Sequence, residues 1–200
     1  MGCVKREYPK HKFSGEKWRT NKTNKKYLAI DFKRRCAYCD DLDFYSGGQH
    51  SFHVEHFAPK EKFPALKYVY ENLFYSCPYC NSAKSDNWPS DNPMLNVVGD
   101  IGFANPCTDE YDQHLERDSS GKIFAKTQLG KYMIIKLKLF LYRHELFFKL
   151  DQVEEKKQLL ENTIERERLD GKDVSVKQSA LDSLKDDFLE YYVKWKSLNA

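Results

Sequence analysis

Two phrases decide how this chain reads: HVEHFAPK at positions 53–60 and NLFYSCPYCNSAK at positions 72–84. The second holds Cys77 and Cys80, and a like pair, Cys36 and Cys39, lies upstream, giving the spacing C-x2-C-x37-C-x2-C. Each C-x-x-C turn presents two thiolates to one ion, the usual half of a structural tetrathiolate zinc site. Four thiolates fill a tetrahedron and leave no position for substrate, so this metal is expected to be structural. Without a secretion signal, paired C-x-x-C turns point to metal rather than to a disulfide framework. The plainer alternative is four buried free thiols, which the coincidence of two such pairs disfavours. The long spacer leaves room for a functional insert.

Inside that insert, Phe52 and Val54 alternate with His53 and Glu55, so a strand is expected over Ser51–Phe57. Aromatic-rich Leu66–Tyr75 reads as a second strand or a loop, and Asn81–Lys84 as the first turn of a helix. Hydrolysis of a phosphodiester needs an activated water, a neutralised phosphate and a stabilised leaving oxygen. Glu55 is a hard oxygen ligand suited to magnesium or manganese. His56 can serve as general base. Asn81 offers a second oxygen ligand, placed by the neighbouring Cys80. Lys84, three residues on, is expected on the same helical face, within reach of a phosphate, as is the helix N-terminus. Asn72 is expected to hold the intervening loop through bonds to backbone. A regular strand sends Glu55 and His56 to opposite faces, so both reach one phosphate only if the strand bends, and Pro59 is close behind.

With Glu55 before it, the set His56, Asn72, Asn81, framed by the cysteine pairs and Lys84, resembles the HNH nucleases of the ββα-metal type. The resemblance implies an α+β fold: a zinc-stapled ββα-metal core over residues 31–125, with a mainly helical C-terminal extension. It implies His56 as general base, Glu55 as acidic ligand in place of the usual Asp, Asn72 as loop brace, and Asn81 at the third position in place of the usual His. Both replacements favour oxygen ligation and move the preferred ion from zinc or nickel toward Mg2+ or Mn2+. More loosely, these phrases with GFANPCTDEYDQHLE (102–116) and a helical tail resemble the PtuB-like HNH subunit of Septu-type and retron-associated antiphage systems. That resemblance implies an ABC/SMC-like ATPase partner and a nucleic-acid substrate, DNA favoured and tRNA kept open. A zinc-dependent binding or interaction module without activity is the competing reading.

The 200 residues carry a net charge of +3 with a strongly asymmetric distribution. Up to Arg35, Lys5, Arg6, Lys10, Lys12, Lys17, Arg19, Lys22, Lys25 and their neighbours face only Glu7, Glu16 and Asp31; the rest is acidic on balance. Residues 1–30 thus read as a basic arm and short helix, loose to about residue 14. With Tyr8, Phe13 and Trp18 interleaved, the arm suits phosphate contact or is a solvated leader. A helix is expected over about 23–34, with Tyr27, Ile30 and Arg34 on one face. Residues 126–200 read as helical and as a docking platform: one stripe runs Leu129, Met133, Leu137, Leu141, Phe148, another Val176, Ala180, Leu184, Phe188, Tyr192, Trp195. His53 reads as a strand residue or a support of the metal site, and His114 as an exposed loop residue or a member of the site. With no apolar stretch of membrane length and no apolar signal core, a cytoplasmic protein without membrane contact is expected.

Overall fold

Antiparallel pairing of His53–His56 (β1) with Leu73–Ser76 (β2), followed directly by the helix Pro78–Lys84 (α2), makes the centre of the first structural unit. The structure is a computed structural model that describes residues 2–13 and 20–198. Every residue of β2 (Leu-Phe-Tyr-Ser) is buried, as suits aromatic side chains on a covered sheet. Helix α2 starts where its chemistry dictates. The Cys77 side chain caps it by accepting from the Cys80 N–H, and Pro78 takes the first turn, where a missing N–H costs nothing. The helix thus begins three residues before the expected Asn81, and its N-terminus is occupied by the Cys77 cap instead of facing a phosphate.

Helix Asn21–Asp31 (α1) packs on both strands and ends before the first cysteine pair. It buries Leu28 and Ala29, with Phe32 buried just past its end, and leaves Ile30 59% exposed, so the inward face is not the expected Tyr27–Ile30–Arg34 stripe. The cysteine turn that follows is tight. Cys36 N–H donates to Asp41 O at 2.9 Å, Asp40 takes a positive φ of 62°, and Ala37 N–H ties the turn to Tyr75 O at 2.7 Å. Downstream come two small hairpins, Val97–Val98 (β3) with Ile101–Gly102 (β4) and Leu115–Arg117 (β5) with Ile123–Ala125 (β6). Between them lies Glu110–His114 (α3).

Residues 2–13 are not a loose arm. Gly2 pairs with Arg117 through two backbone bonds of 2.8 Å. Asp112 accepts from Val4 N–H at 2.8 Å and Tyr8 O–H at 2.7 Å. Lys5 is 4% exposed, donates to Cys36 O at 2.8 Å and pairs with Asp40 at 3.0 Å. Lys33 pairs with Glu7, and Arg34 with Asp43. Lys5, Lys33 and Arg34 of the expected phosphate-facing charge are therefore paired with the protein's own carboxylates. Lys17, Trp18 and Arg19 of the expected arm lie outside the described residues.

Helix Gln128–Lys136 (α4), expected with the helical region, belongs to this first unit, which runs to Leu141. Thr127 caps it, accepting from Gly130 N–H at 3.1 Å. It packs on β6 and β4, burying Leu129, Met133 and Leu137 as expected. A Cβ at Gly130 would meet His114 O at 2.0 Å, so only glycine permits this approach. The continuous helical pattern expected across Thr127–Arg168 breaks here, because Lys138 takes φ 55°.

The second unit, residues 142–198 as described, is a helical hairpin of Tyr142–Leu169 (α5) and Ser175–Leu198 (α6). Its antiparallel ladder reads from Phe147–Trp195 through Lys149–Tyr191 and Lys157–Phe188 to Glu167–Lys177. The less exposed stripe of α6 is Leu181, Leu184, Phe188, Tyr191, Trp195, a coiled-coil spacing. Val176 and Tyr192, expected in that stripe, are 81% and 41% exposed. No helix among the described residues is long and apolar enough to cross a membrane.

Candidate active site and cysteine cluster

The four cysteines converge. Their Sγ atoms all lie within 4.8 Å of one another, every one buried and none in a disulfide. Cys39 Sγ and Cys77 Sγ are 3.8 Å apart. Thiolates at about 2.3 Å from a tetrahedral zinc stand about 3.8 Å apart, so the cage has the size of that ion. Cys36 Sγ accepts N–H bonds from Tyr38 at 3.4 Å and Cys77 at 3.3 Å, the pattern that stabilises a thiolate. Burial pushes the Cys39 and Cys80 thiols well above their ordinary range. Four thiolates in this dry pocket therefore require a cation, and the cluster could hold zinc.

Directly beside it, Glu55, His56 and Asn81 line one open cleft of about 630 Å³. Both residues sit in the regular part of β1, Glu55 opposite Phe74 and His56 opposite Leu73, at the end of the hairpin that borders the cleft. Phe57 N–H donates to Asn72 O at 2.9 Å in the same register, and the backbone pairing ends at Ala58, whose N–H donates to the Asn72 side chain at 2.8 Å.

His56 is 6% exposed, and its Nε2 lies 3.1 Å from Lys67 O. A carbonyl only accepts, so Nε2 carries the proton and Nδ1 keeps the free lone pair. Burial depresses the imidazole below its ordinary 6.5, with the Lys67 carbonyl opposing in part. The ring is therefore neutral at neutral pH.

Asn72 does not enter the cleft. It staples the loop that carries Lys67, accepting from Ala58 N–H and donating to Ala58 O at 3.0 Å and Leu66 O at 3.3 Å. Substituting Asn72 by alanine would orphan the buried Ala58 N–H, at a cost of about 1–3 kcal/mol. The expected result is a lower urea midpoint and faster exchange of the Ala58 amide. Turnover should fall more than substrate affinity, because the carbonyl that orients His56 drifts. An unchanged Ala58 exchange rate would count against this role.

Lys84 departs from expectation. Its side chain is 0% exposed, 2.8 Å from Glu55 Oε1, and donates to His56 O at 3.2 Å. It points inward, beneath β1, and does not line the cleft, so in this structure it is not exposed to the phosphate contact expected of it. Tyr38 O–H adds a 3.4 Å bond to the same Oε1. Burial raises the Glu55 carboxyl, with Lys84 acting against it.

Sequence reasoning missed several groups on the cleft wall: Lys25, Lys60, Glu61 and Asp86. Only the basic run around Lys25 and the charged PKEK segment at 59–62 hinted at them. Asp86 follows Ser85, whose φ of 49° and ψ of −134° end α2 and turn the chain to the wall. His53 is exposed and lines the cleft. His114 does neither of the things expected of it. Its Nδ1 lies 2.8 Å from Thr127 Oγ1, so it supports the cap of α4 away from the cleft.

Comparison with known proteins falls on the same stretch. Residues 36–87 match the HNH endonuclease family. Over 147 residues the chain is 24% identical to the Septu protein PtuA of Bacillus mycoides (strain KBAB4), covering 62% of this chain. It spans 20% of the length of that relative. No solved structure matches the chain. The family match opens at the first cysteine of the cluster and closes just beyond Lys84, enclosing hairpin, helix and cleft together, and this stretch is an HNH endonuclease domain.

Proposed function

We propose that this protein is a metal-dependent endonuclease that hydrolyses phosphodiester bonds in nucleic acid. The observation that carries the reading is that Glu55, His56 and Asn81 line one cleft, with His56 held through Nε2. His56 Nδ1 then takes a proton from the attacking water. Glu55, through the oxygen not engaged by Lys84, and Asn81, through its amide oxygen, would hold one divalent ion. A carboxylate and an amide oxygen are hard donors, which fits Mg2+ or Mn2+ completed by waters. When bound, that ion supplies charge neutralisation at the phosphate and the leaving oxygen. Asn72 and Lys84 keep His56 and Glu55 in place from behind. The four cysteines would hold a structural zinc ion.

DNA is the favoured substrate, with tRNA the alternative. The likeness to a Septu protein supports a role in antiphage defence. The finer reading, a PtuB-like effector in the cytoplasm that acts with an ABC/SMC-like ATPase, is carried by the resemblance of the sequence phrases alone. The helical hairpin, residues 142–198, is the surface offered to such a partner. The test is incubation of the purified protein with plasmid and with total RNA, with Mg2+, with Mn2+ or with neither. Cutting is expected only with a divalent ion and is expected to vanish in Glu55→Gln. Equal cutting without added ion, or by Glu55→Gln, would remove the metal-dependent reading. A silent protein that still retains nucleic acid would favour the binding module.

A further inference from the structure

The Lys84 side chain is placed where water cannot reach it. Its ammonium has the Trp88 and Phe103 rings 5.9 and 5.4 Å away and, among the described residues, finds its counter-charge in Glu55. That carboxylate is the one charged ligand of the proposed ion site, since Asn81 and the His56 ring are neutral. On the cleft wall, among the described residues, Lys25 and Lys60 stand against Glu61 and Asp86. An arriving dication therefore meets a site whose negative charge is already answered.

We propose that Lys84 keeps the ion site charge-balanced, so that a divalent ion binds firmly only together with the phosphodiester that supplies the missing negative charge. The inference rests on the metal-dependent reading above and adds to it a coupling between ion and substrate. By linkage, the nucleic acid tightens the ion by the same factor as the ion tightens the nucleic acid. Without nucleic acid the domain stays largely unloaded, and the complete site forms at the point of cutting. Lys84 acts through Glu55 and is a positioning residue.

The experiment is titration with Mn2+, followed by the paramagnetic resonance signal of the free ion, in a His56→Ala background so that nothing is cut. Titrations run without nucleic acid, with a short DNA duplex and with an RNA stem-loop, each corrected for the ion that the nucleic acid binds alone. With Lys84 present, affinity is expected to rise about tenfold or more when the recognised nucleic acid is added. Lys84→Met is expected to raise affinity without nucleic acid by about tenfold and to shrink the enhancement. Lys84→Arg, which keeps the charge, is expected to behave as the parent. Equal affinity with and without nucleic acid in the parent overturns the coupling and leaves the metal-dependent reading standing. So does a folded Lys84→Met with unchanged affinity. If Lys84→Met does not fold, judged by circular dichroism and zinc content, the parent titrations decide alone. Absence of Mn2+ binding in every arm overturns the coupling and the metal-dependent reading together.

Discussion

Replacing His56 by alanine is expected to lower phosphodiester cleavage by about 10²–10⁴-fold, the usual worth of a positioned general base. Circular dichroism and zinc content should stay those of the parent. The size follows from how fully the ring is committed: Nε2 is spent on Lys67 O, so the side chain has one basic atom, and it lies on the cleft that Glu55 and Asn81 also line. His53 also lines the cleft, but it is exposed at the start of β1 and lacks the carbonyl anchor that fixes His56, and His114 is engaged with Thr127. The pH profile gives an independent readout. Burial holds the His56 imidazole below 6.5, and only the neutral ring accepts a proton. The rate of the wild-type protein should therefore climb with pH through a value below 6.5 and then level off. Most of the activity should remain at a pH where an exposed histidine is already half protonated. A midpoint above 6.5, or a His56→Ala protein that cuts at the parent rate, would falsify the assignment.

The parts of the site legible in the sequence are those carried by short spacings. The C-x-x-C pairs, the HVEH strand end and Asn81 beside Cys80 are local patterns, and each local geometry was available without the fold. What escaped depended on partners far away along the chain. Lys84 sits at the right helical step to face a phosphate, yet it turns inward because Glu55, on a neighbouring strand, needs a counter-charge in a dry place. Lys5 looked like part of a solvated basic run, but Asp40 and the Cys36 carbonyl draw it into the core. Composition cannot distinguish a lysine that will be solvated from one that will be paired. In α1 the choice between Ile30 and Leu28 as the inward residue is set by the angle at which the helix meets β1 and β2, which periodicity over so few turns does not fix. The break between α4 and α5 is signalled by neither Gly nor Pro, and Lys138 adopts a left-handed conformation that the sequence gives no reason to expect.

Zinc held by the four cysteines, as proposed above, is expected to keep the first unit folded, so its removal should unfold that unit rather than merely silence it. The cysteines join elements that already pack on one another. Cys36 and Cys39 follow α1, Cys77 closes β2, and Cys80 lies inside α2, so one ion would tie the helix, the hairpin and the cysteine turn at a single point. Structural zinc contributes on the order of 10–16 kcal/mol in peptide systems, comparable to the roughly 5–15 kcal/mol by which whole domains are stable. Without the ion, burial would favour the neutral form of Cys39, Cys77 and Cys80, and the Cys80 N–H bond to Cys77 would lose its charged acceptor. Cys80→Ser is therefore expected to lose the cooperative thermal transition of the first unit, along with one bound zinc per chain. Cys3→Ser, at an exposed thiol outside the cluster, should keep both. Stripping the ion with a strong chelator should reproduce the Cys80→Ser result, and returning zinc should reverse it. A zinc-free protein that melted at the wild-type temperature would show that the four thiols are held by packing alone. In that case the placement of Asn81 would owe nothing to the ion, and the cleft would survive chelation intact. Loss of the transition would instead make the cleft geometry conditional on zinc, because Asn81 N–H bonds to Cys77 O at 3.0 Å and Lys84 reaches Glu55 from the same short helix.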